Sequence, residues 1–226
     1  MKAFKVNLDS SENQSILKPS ACSFNHQAHQ VNEAVKKIHE LIKDAKHSND
    51  GIALNHDKIK EAFFSPFKPQ LKNAQVFLSH SHADKNKALK VKGYLEEYLD
   101  TECVFIDSLF WDYKDDVLNK LAEYDDTSKI EYAFTLILRE YLQDMIEKCP
   151  YFVFLKSKNS ASLNKDLLGI TYSAWIYEEL KIAHSISSKS RLTIMMESFQ
   201  ASHDISPFLE HLETITLRKL SHIINP

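Results

Sequence analysis

Two residues near position 180 combine a carboxylate with an aromatic ring. Trp175 and Glu179 are four positions apart in a stretch predicted to be helical, so both side chains lie on one face of that helix. A carboxylate can stabilise a positive charge that develops on a reacting group, and an indole can form a wall for a flat base. The competing interpretations are an exposed acid on an amphipathic helix and a packed core tryptophan.

The neighbours of this pair indicate how the helix is held. Ile176, Leu180 and Ala183 form an adjacent apolar stripe, which predicts that the helix packs on a sheet. Glu178 points to another side and is expected to be a solvated charge. Glu179, by contrast, shares its face with Trp175.

Polar residues also follow the first predicted strand. Ser79, His80 and His82 come directly after the apolar run VFL. Two histidines at this spacing suggest a metal, but no third ligand stands at an obvious distance in the sequence. We therefore favour hydrogen bonding at the strand end and expect no metal.

The charge pattern argues against two classes of partner. The net charge is −3, and Lys and Arg are interspersed with acids instead of forming the basic stripe that nucleic-acid binding requires. Apolar runs fall far short of the roughly 20 residues that cross a bilayer, and the first residues lack an apolar signal core. We expect no nucleic acid and no membrane as partners, and a cytoplasmic location.

Cysteine and glycine are both scarce. The three cysteines stand far apart and form no CxxC pair, so we expect reduced thiols. The three glycines, Gly51, Gly93 and Gly169, supply neither a P-loop nor a GxGxxG turn. Any nucleotide must be bound in another way.

The chain is predicted to consist of an N-terminal extension, residues 1–71, and a main domain, residues 72–226. Pro66 and Pro69 interrupt the helical pattern just before this boundary. Within the extension we predict a poorly ordered polar lead-in at residues 1–24 and amphipathic helices at Gln27–His47 and His56–Phe64.

In the main domain, short β-rich runs alternate with longer helical ones. This alternation predicts a parallel sheet with helices on its faces. Ligands of such doubly wound sheets bind outside the carboxyl ends of the strands, so the loops after the first three strands are the ones to consider. The predicted strands are Ala74–Leu78, Thr101–Ile106, Tyr151–Leu155, Leu192–Met196 and Thr214–Thr216, and the predicted helices are Asp84–Leu99, Asp112–Lys148 in two pieces, and Tyr172–Ile186.

Three motifs in this order resemble the Toll/interleukin-1-receptor-like (TIR) family, in its bacterial form. VFLSHSHADK at 76–85 is similar to the first conserved box, and VFID at 104–107 followed by SLFW resembles the second strand and its loop. SAWIYEEL at 173–180 resembles the pattern Ser-x-Trp-Cys-x-x-Glu-Leu. The resemblance covers residues 74–217. It implies a flavodoxin-like, doubly wound, five-stranded parallel sheet of α/β class with an N-terminal helical extension.

The resemblance implies a catalytic residue and a substrate. In catalytic members the glutamate four positions after the tryptophan is essential, and Glu179 occupies that position. The implied reaction is cleavage of NAD, in which nicotinamide leaves as a neutral molecule and needs no general acid, unlike an ordinary glycoside leaving group. A carboxylate beside the ribose can stabilise the oxocarbenium-like transition state. NAD is then a substrate rather than a cofactor, and no cofactor is expected.

The resemblance also implies a biological setting. The product is ADP-ribose or a cyclic signal nucleotide, and the setting is antiphage defence, of which Thoeris systems are one kind. A separate effector would sense the product. Catalytic TIR domains often complete their site between subunits, so self-association through this domain is expected.

Substrate binding is assigned to residues around Glu179. Asp107 follows the second strand and either binds ribose or caps the following turn. Phe110 and Trp111 are assigned to a gate or an assembly contact. The full set of assigned binding residues is Ser79, His80, Asp107, Phe110, Trp111 and Trp175.

Three features depart from the family pattern. The loop after strand two lacks the Pro-Gly of receptor domains, so receptor-style adaptor contacts cannot be carried over. Ile176 replaces the usual cysteine and keeps an apolar contact. An insertion at residues 163–172, LNKDLLGITY, puts substrate contacts from the third loop in doubt.

Two other functions remain open at this point. A non-catalytic module would use the same fold only to assemble with other TIR surfaces, and it would release no nicotinamide from NAD. A glycosidase similar to nucleoside deoxyribosyltransferases shares the fold and a glutamate, and it would act on free nucleosides but not on NAD.

Overall fold

A computed structural model gives the architecture of the protein. The structure describes residues 1–17, 27–46, 55–65, 68–99, 103–124, 128–163, 169–188 and 202–225. No helix in these ranges is both long enough and apolar enough to cross a bilayer. The chain forms two compact units: unit 1 comprises residues 1–22, 73–107 and 142–226, and unit 2 comprises residues 23–72 and 108–141.

The described strands all belong to unit 1. In chain order they are β1 (Lys2–Asn7), β2 (Val76–Ser79), β3 (Val104–Ile106), β4 (Tyr151–Lys156), β5 (Ser162–Leu163), β6 (Gly169–Thr171), β7 (His203–Asp204) and β8 (Glu213–Thr214). Five of them form a sheet in the order β3-β2-β4-β1-β8, and each neighbouring pair is parallel. With its helices, unit 1 is an α/β fold compatible with a flavodoxin-like arrangement.

The helices of the described ranges connect these strands and build unit 2. In chain order they are α1 (Ser11–Ile16), α2 (Gln27–Lys46), α3 (His56–Phe64), α4 (Lys68–Asn73), α5 (Lys85–Leu99), α6 (Ser108–Leu121), α7 (Ser128–Lys148), α8 (Ala174–Ser188), α9 (Ser206–Glu210) and α10 (Leu217–Ile224). A 3-10 turn at His82–Asp84 precedes α5. The predicted helix at His56–Phe64 is confirmed with the same bounds.

The centre of the large sheet is the apolar strand β4. Phe152, Val153, Phe154 and Leu155 are all completely buried, because β4 pairs with β2 on one side and with β1 on the other. The prediction of a central strand buried on both faces is confirmed. The ring of Phe77 on β2 stacks on Phe152, with centroids 5.8 Å apart.

The first residues of the chain do not form the predicted lead-in. Lys2–Asn7 is β1, which pairs with β4 from Lys2↔Tyr151 to Asn7↔Lys156. Phe4 and Val6 are buried and alternate with the more exposed Ala3, Lys5 and Asn7, which is the period-two pattern of a strand. The prediction was wrong because two buried apolar residues in a six-residue strand give a weak periodic signal, whereas pairing on both sides satisfies the backbone of this segment.

β1 occupies the position between β4 and β8. The sequence assigned the fourth strand to Leu192–Met196, and this segment lies outside the described residues. The other predicted strands correspond to β2, β3, β4 and β8. The large sheet therefore has five strands because β1 joins the four strands that the sequence predicted correctly.

The predicted third loop contains a small antiparallel sheet. β6 pairs with β5 and with β7, and β6 leads directly into α8. Gly169 on β6 lies against α9, where a Cβ atom would come within 3.1 Å of the Leu209 Cδ1 atom. The insertion at residues 163–172 thus includes strand residues that precede the helix with the Trp-Glu motif.

Unit 2 has an aromatic core. Phe63 on α3 is completely buried and contacts Tyr113 on α6 and Phe134 on α7, with ring centroids 5.0 and 4.8 Å apart. The loop expected after β3 is replaced by α6, which begins at Ser108. The reason is that residues 108–121 contain no Gly or Pro, and the buried residues Tyr113, Val117 and Leu121 recur every four positions.

Candidate functional site

The carboxyl ends of β2 and β3 bring together residues that are far apart in the sequence. Ser79 is the last residue of β2, and Asp107 follows β3 directly. Because Leu78 pairs with Ile106, the next residues along the two parallel strands stand side by side. All of the residues that meet here belong to unit 1.

Glu179 on α8 reaches this strand edge. Its Oε2 atom accepts a hydrogen bond of 2.5 Å from the Ser79 Oγ atom, and both residues are completely buried. The serine therefore fixes the orientation of the carboxyl group.

Asp107 holds the histidine of the cluster. The His80 Nδ1 atom lies 3.0 Å from the Asp107 Oδ1 atom, and the two residues are 3% and 6% exposed. Among the residues that the structure describes, none makes a hydrogen bond to His80 Nε2. The same holds for Nδ1, which lies beside Asp107 without hydrogen-bond geometry, so both ring nitrogens are buried next to the carboxyl groups of the cluster.

The pKa of Glu179 is raised well above its usual value. Burial is the largest cause, and the charge of Asp107 and a hydrogen bond between the two carboxyl groups add to it. The hydrogen bond from Ser79 acts in the opposite direction. Within the described residues no donor reaches Glu179 Oε1.

The start of α8 is built to position this carboxyl group. The Ser173 Oγ atom accepts a hydrogen bond of 3.3 Å from the Ile176 amide, so Ser173 is the N-cap of the helix. The Thr171 Oγ1 atom on β6 accepts a hydrogen bond of 3.2 Å from the Ser173 amide. These two bonds connect the small sheet to the turn of helix that precedes Glu179.

The apolar stripe of α8 behaves as predicted. Ile176, Leu180 and Ala183 are each 1% exposed, and α8 contacts β1, β6 and α9. Glu178, however, is only 7% exposed, so the prediction of a solvated charge was wrong. The spacing on a helical wheel gives the direction of Glu178, but it does not reveal which other elements pack on that side.

The remaining assigned residues have different outcomes. Trp175 is half-buried and lies one helical turn before Glu179. Phe110 and Trp111 lie in the first turn of α6, in unit 2, and their side chains are outside the described part of the structure. The structure therefore brings together Ser79, His80, Asp107 and Glu179.

The histidine pair does not share one environment. His80 is buried, whereas His82 lies in the 3-10 turn and is exposed. Across the described ranges, no group of three or more His, Cys, Asp and Glu side chains is arranged to hold a metal ion.

A second buried carboxylate, Asp84, was not assigned a role from the sequence. It is 1% exposed and accepts hydrogen bonds from the Ser157 hydroxyl group and, at 3.0 Å, from the Asn159 amide group. Lys87 Nζ lies 3.2 Å from Asp84 Oδ1. Asp84 therefore ties the loop after β4 to the start of α5. A serine-rich loop beyond a central strand was the only sequence signal for this network.

Access to the cluster follows from its burial. Glu179 is 0% exposed, so a substrate reaches this carboxyl group only when the side chains above it move.

No model of a protein family matches the chain, and neither a curated protein nor a solved structure matches it.

Proposed function

We propose that the protein is a TIR-type enzyme that cleaves NAD, with Glu179 as the catalytic carboxylate. One observation supports this most: Glu179, chosen from a sequence motif, is buried against Ser79 and Asp107 at the carboxyl ends of two adjacent parallel strands. Sheets of this class bind their ligands at that edge. A glutamate on the surface of an amphipathic helix would instead be solvated.

The proposed reaction breaks the bond between the ribose C1′ atom and the nicotinamide nitrogen. The bonding electrons go to the ring nitrogen, so nicotinamide leaves as a neutral molecule. The Glu179 carboxylate accepts hydrogen bonds from the ribose hydroxyls and stabilises the positive charge that develops on the sugar. Ser79 holds the carboxylate in place during this step. Water, or an internal nucleophile of the ADP-ribose group, then attacks C1′.

The protonation state of Glu179 should depend on the charge of the bound substrate. Burial raises the pKa of Glu179 and so favours its protonated form in the free protein, and the nicotinamide ring of NAD is a cation. A cation close to a carboxyl group favours its ionised form. NAD binding is therefore expected to release the proton and to produce the carboxylate that the reaction requires.

Several further parts of the proposal come from the TIR resemblance. Trp175 would provide an aromatic wall for a base, and Phe110 and Trp111 would act as a gate or an assembly contact. The product would be ADP-ribose or a cyclic nucleotide used in bacterial antiphage defence in the cytoplasm, with a separate effector as its sensor. Self-association through the TIR domain would accompany activity.

Nicotinamide release tests the proposal. The purified full chain is incubated with NAD at low and high protein concentration, and nicotinamide is measured by chromatography. Release by the wild type is expected, with a decrease of at least about 100-fold in Glu179→Gln and little change in Glu97→Gln, an exposed glutamate on α5.

The other outcomes separate the alternatives. Absence of release by the folded wild type at both concentrations would favour the non-catalytic assembly module. Release that persists in Glu179→Gln would retain the enzyme but reject this site.

A further inference from the structure

The NAD mechanism leaves one buried group of the cluster without a chemical role. His80 has a completely buried side chain, and its Nδ1 atom is held 3.0 Å from Asp107. Both ring nitrogens are buried, and none of the described residues makes a hydrogen bond to either of them. A buried polar atom without a partner costs folding free energy, so its presence beside a reactive carboxyl group requires an explanation.

Asp107 is the residue that connects the two parts of the cluster. Its carboxyl group contacts His80 on one side and hydrogen-bonds Glu179 on the other. An imidazole beside a carboxylate can donate or accept a proton through either nitrogen. His80 and Glu179 thus both adjoin one carboxyl group, that of Asp107.

We propose that His80, positioned by Asp107, is a general acid that protonates the leaving base, and that the site therefore also cleaves uncharged purine N-glycosides. This inference rests on the proposed N-glycosidase site at Glu179. It extends the substrate class from cationic leaving groups, which depart without a proton, to neutral purine nucleosides and nucleotides, which need one.

The step balances without a further reactant except water. His80 donates its Nε2 proton to N7 of the purine. The bond between C1′ and N9 then breaks, its electron pair goes to the base, and the base leaves as a neutral molecule. Water attacks C1′ beside Glu179, and the proton that water loses replaces the one lost by His80. The sum is nucleoside plus water giving free base plus ribose.

Two substrates isolate the role of the acid. Guanosine and 7-methylguanosine carry nearly the same base, but the methyl group gives the second base a positive charge, so its departure needs no proton. Cleavage of both is followed by chromatography of the free base, with NAD in a parallel reaction. The wild type is expected to cleave all three compounds.

The variants are chosen to keep the fold. His80→Asn keeps a polar amide near the position of Nδ1, beside Asp107, but it has no group that can act as a general acid. It is expected to lower guanosine cleavage by about 100-fold or more and 7-methylguanosine cleavage by less than about tenfold. Asp107→Asn, which changes the positioning residue, is expected to affect guanosine more than 7-methylguanosine as well. His82→Asn, at the exposed histidine, is the matched control.

Each remaining outcome overturns a defined statement. Cleavage of NAD and 7-methylguanosine without guanosine would reject the general acid and leave the NAD proposal intact. Equal losses on both guanosine substrates in His80→Asn would also reject it. Guanosine cleavage that depends on His80, without NAD cleavage, would support the acid and reject the NAD proposal. Absence of cleavage of all three would reject both.

Discussion

Ser79 on β2 donates a 2.5 Å hydrogen bond to Glu179 on α8, and the two residues are 100 positions apart in the sequence. Both are completely buried, so water does not compete for this bond. The serine lowers the pKa of Glu179, whereas burial and Asp107 raise it more strongly. The orientation and the proton of the glutamate are therefore both coupled to the end of β2.

Removal of the Ser79 hydroxyl should affect activity and its pH dependence together. In Ser79→Ala, kcat/KM for NAD should fall by roughly 10- to 100-fold, since hydrogen bonds to charged groups contribute about 1.5–3 kcal/mol. If the carboxylate is the active form, kcat/KM rises with pH through the pKa of Glu179. Loss of a group that lowers this pKa should move the rise to higher pH.

A pH–rate profile of nicotinamide release measures both effects. Ser81→Ala is the matched control, because Ser81 lies two positions away and its side chain forms no cap bond to the 3-10 turn. A wild-type profile in Ser79→Ala would contradict the proposed role of this hydroxyl.

Stability should decrease with rising pH because of Glu179. Its pKa is higher in the folded protein than in the unfolded chain, so the folded state binds the proton more tightly. The stabilisation is fully present below the unfolded pKa of about 4.3 and is lost as pH rises through the folded pKa. Urea unfolding at a series of pH values measures the free energy of unfolding. In Glu179→Gln, which does not titrate, this decrease should disappear; an unchanged pH dependence would contradict it.

The N-terminal strand should be essential for the stability of unit 1. Phe4 is 3% exposed and stacks against Tyr151 on β4, with centroids 6.4 Å apart. Phe4→Ala should lower the free energy of unfolding by about 3–5 kcal/mol. Lys2→Ala, at an exposed position of the same strand, should change it by less than about 0.5 kcal/mol. Equal effects of the two substitutions in denaturant titrations would argue against a buried β1.

The Asp84 network should stabilise the loop after β4. Asp84→Ala leaves Ser157 and Asn159 without their buried acceptor, and we expect a loss of about 3 kcal/mol in thermal or urea unfolding. Hydrogen exchange of the amides at residues 157–160 should increase in the same variant. Asp116→Ala, an exposed aspartate on α6, is the control, and a comparable loss there would remove the special role of Asp84.

Two cysteines should react slowly while the protein is folded. Cys103 and Cys149 are each 1% exposed, and burial raises the pKa of Cys103 to about 11 and that of Cys149 to about 12. Because the thiolate is the reactive form, alkylation at about pH 8 should be much slower in the native protein than in urea. Peptide mass spectrometry distinguishes the two sites. Rapid native labelling of either one would contradict its burial.

The sequence predicted the residues that meet at the candidate site better than it predicted the complete set of strands. Ser79 and Asp107 follow apolar runs, and parallel strands end at the same edge of a sheet, so their proximity follows from topology. Glu179 follows from the motif and from helical spacing. Its contact with Ser79, and the pairing of Asp107 with His80, depend on side-chain packing that the spacing does not specify.

The parts that could not be predicted have physical causes. β1 contains only two buried apolar residues, Phe4 and Val6, and its partners are distant in the sequence. β5 and β7 have two residues each, which is too short for a periodic signal. The burial of Glu178 depends on elements that contact α8 from several directions.

The position of β1 has a consequence for how the sheet assembles during translation. Lys2 pairs with Tyr151, and Phe4 pairs with Glu213. The ribosome therefore releases β1 long before β4 or β8 is made. Both edges of β1 stay unpaired until the chain has grown by about 150 residues for β4 and about 210 residues for β8. Such distant pairing slows folding and leaves an edge open to other chains. Nascent protein of this kind is expected to depend on chaperones until β4 and β8 have left the ribosome.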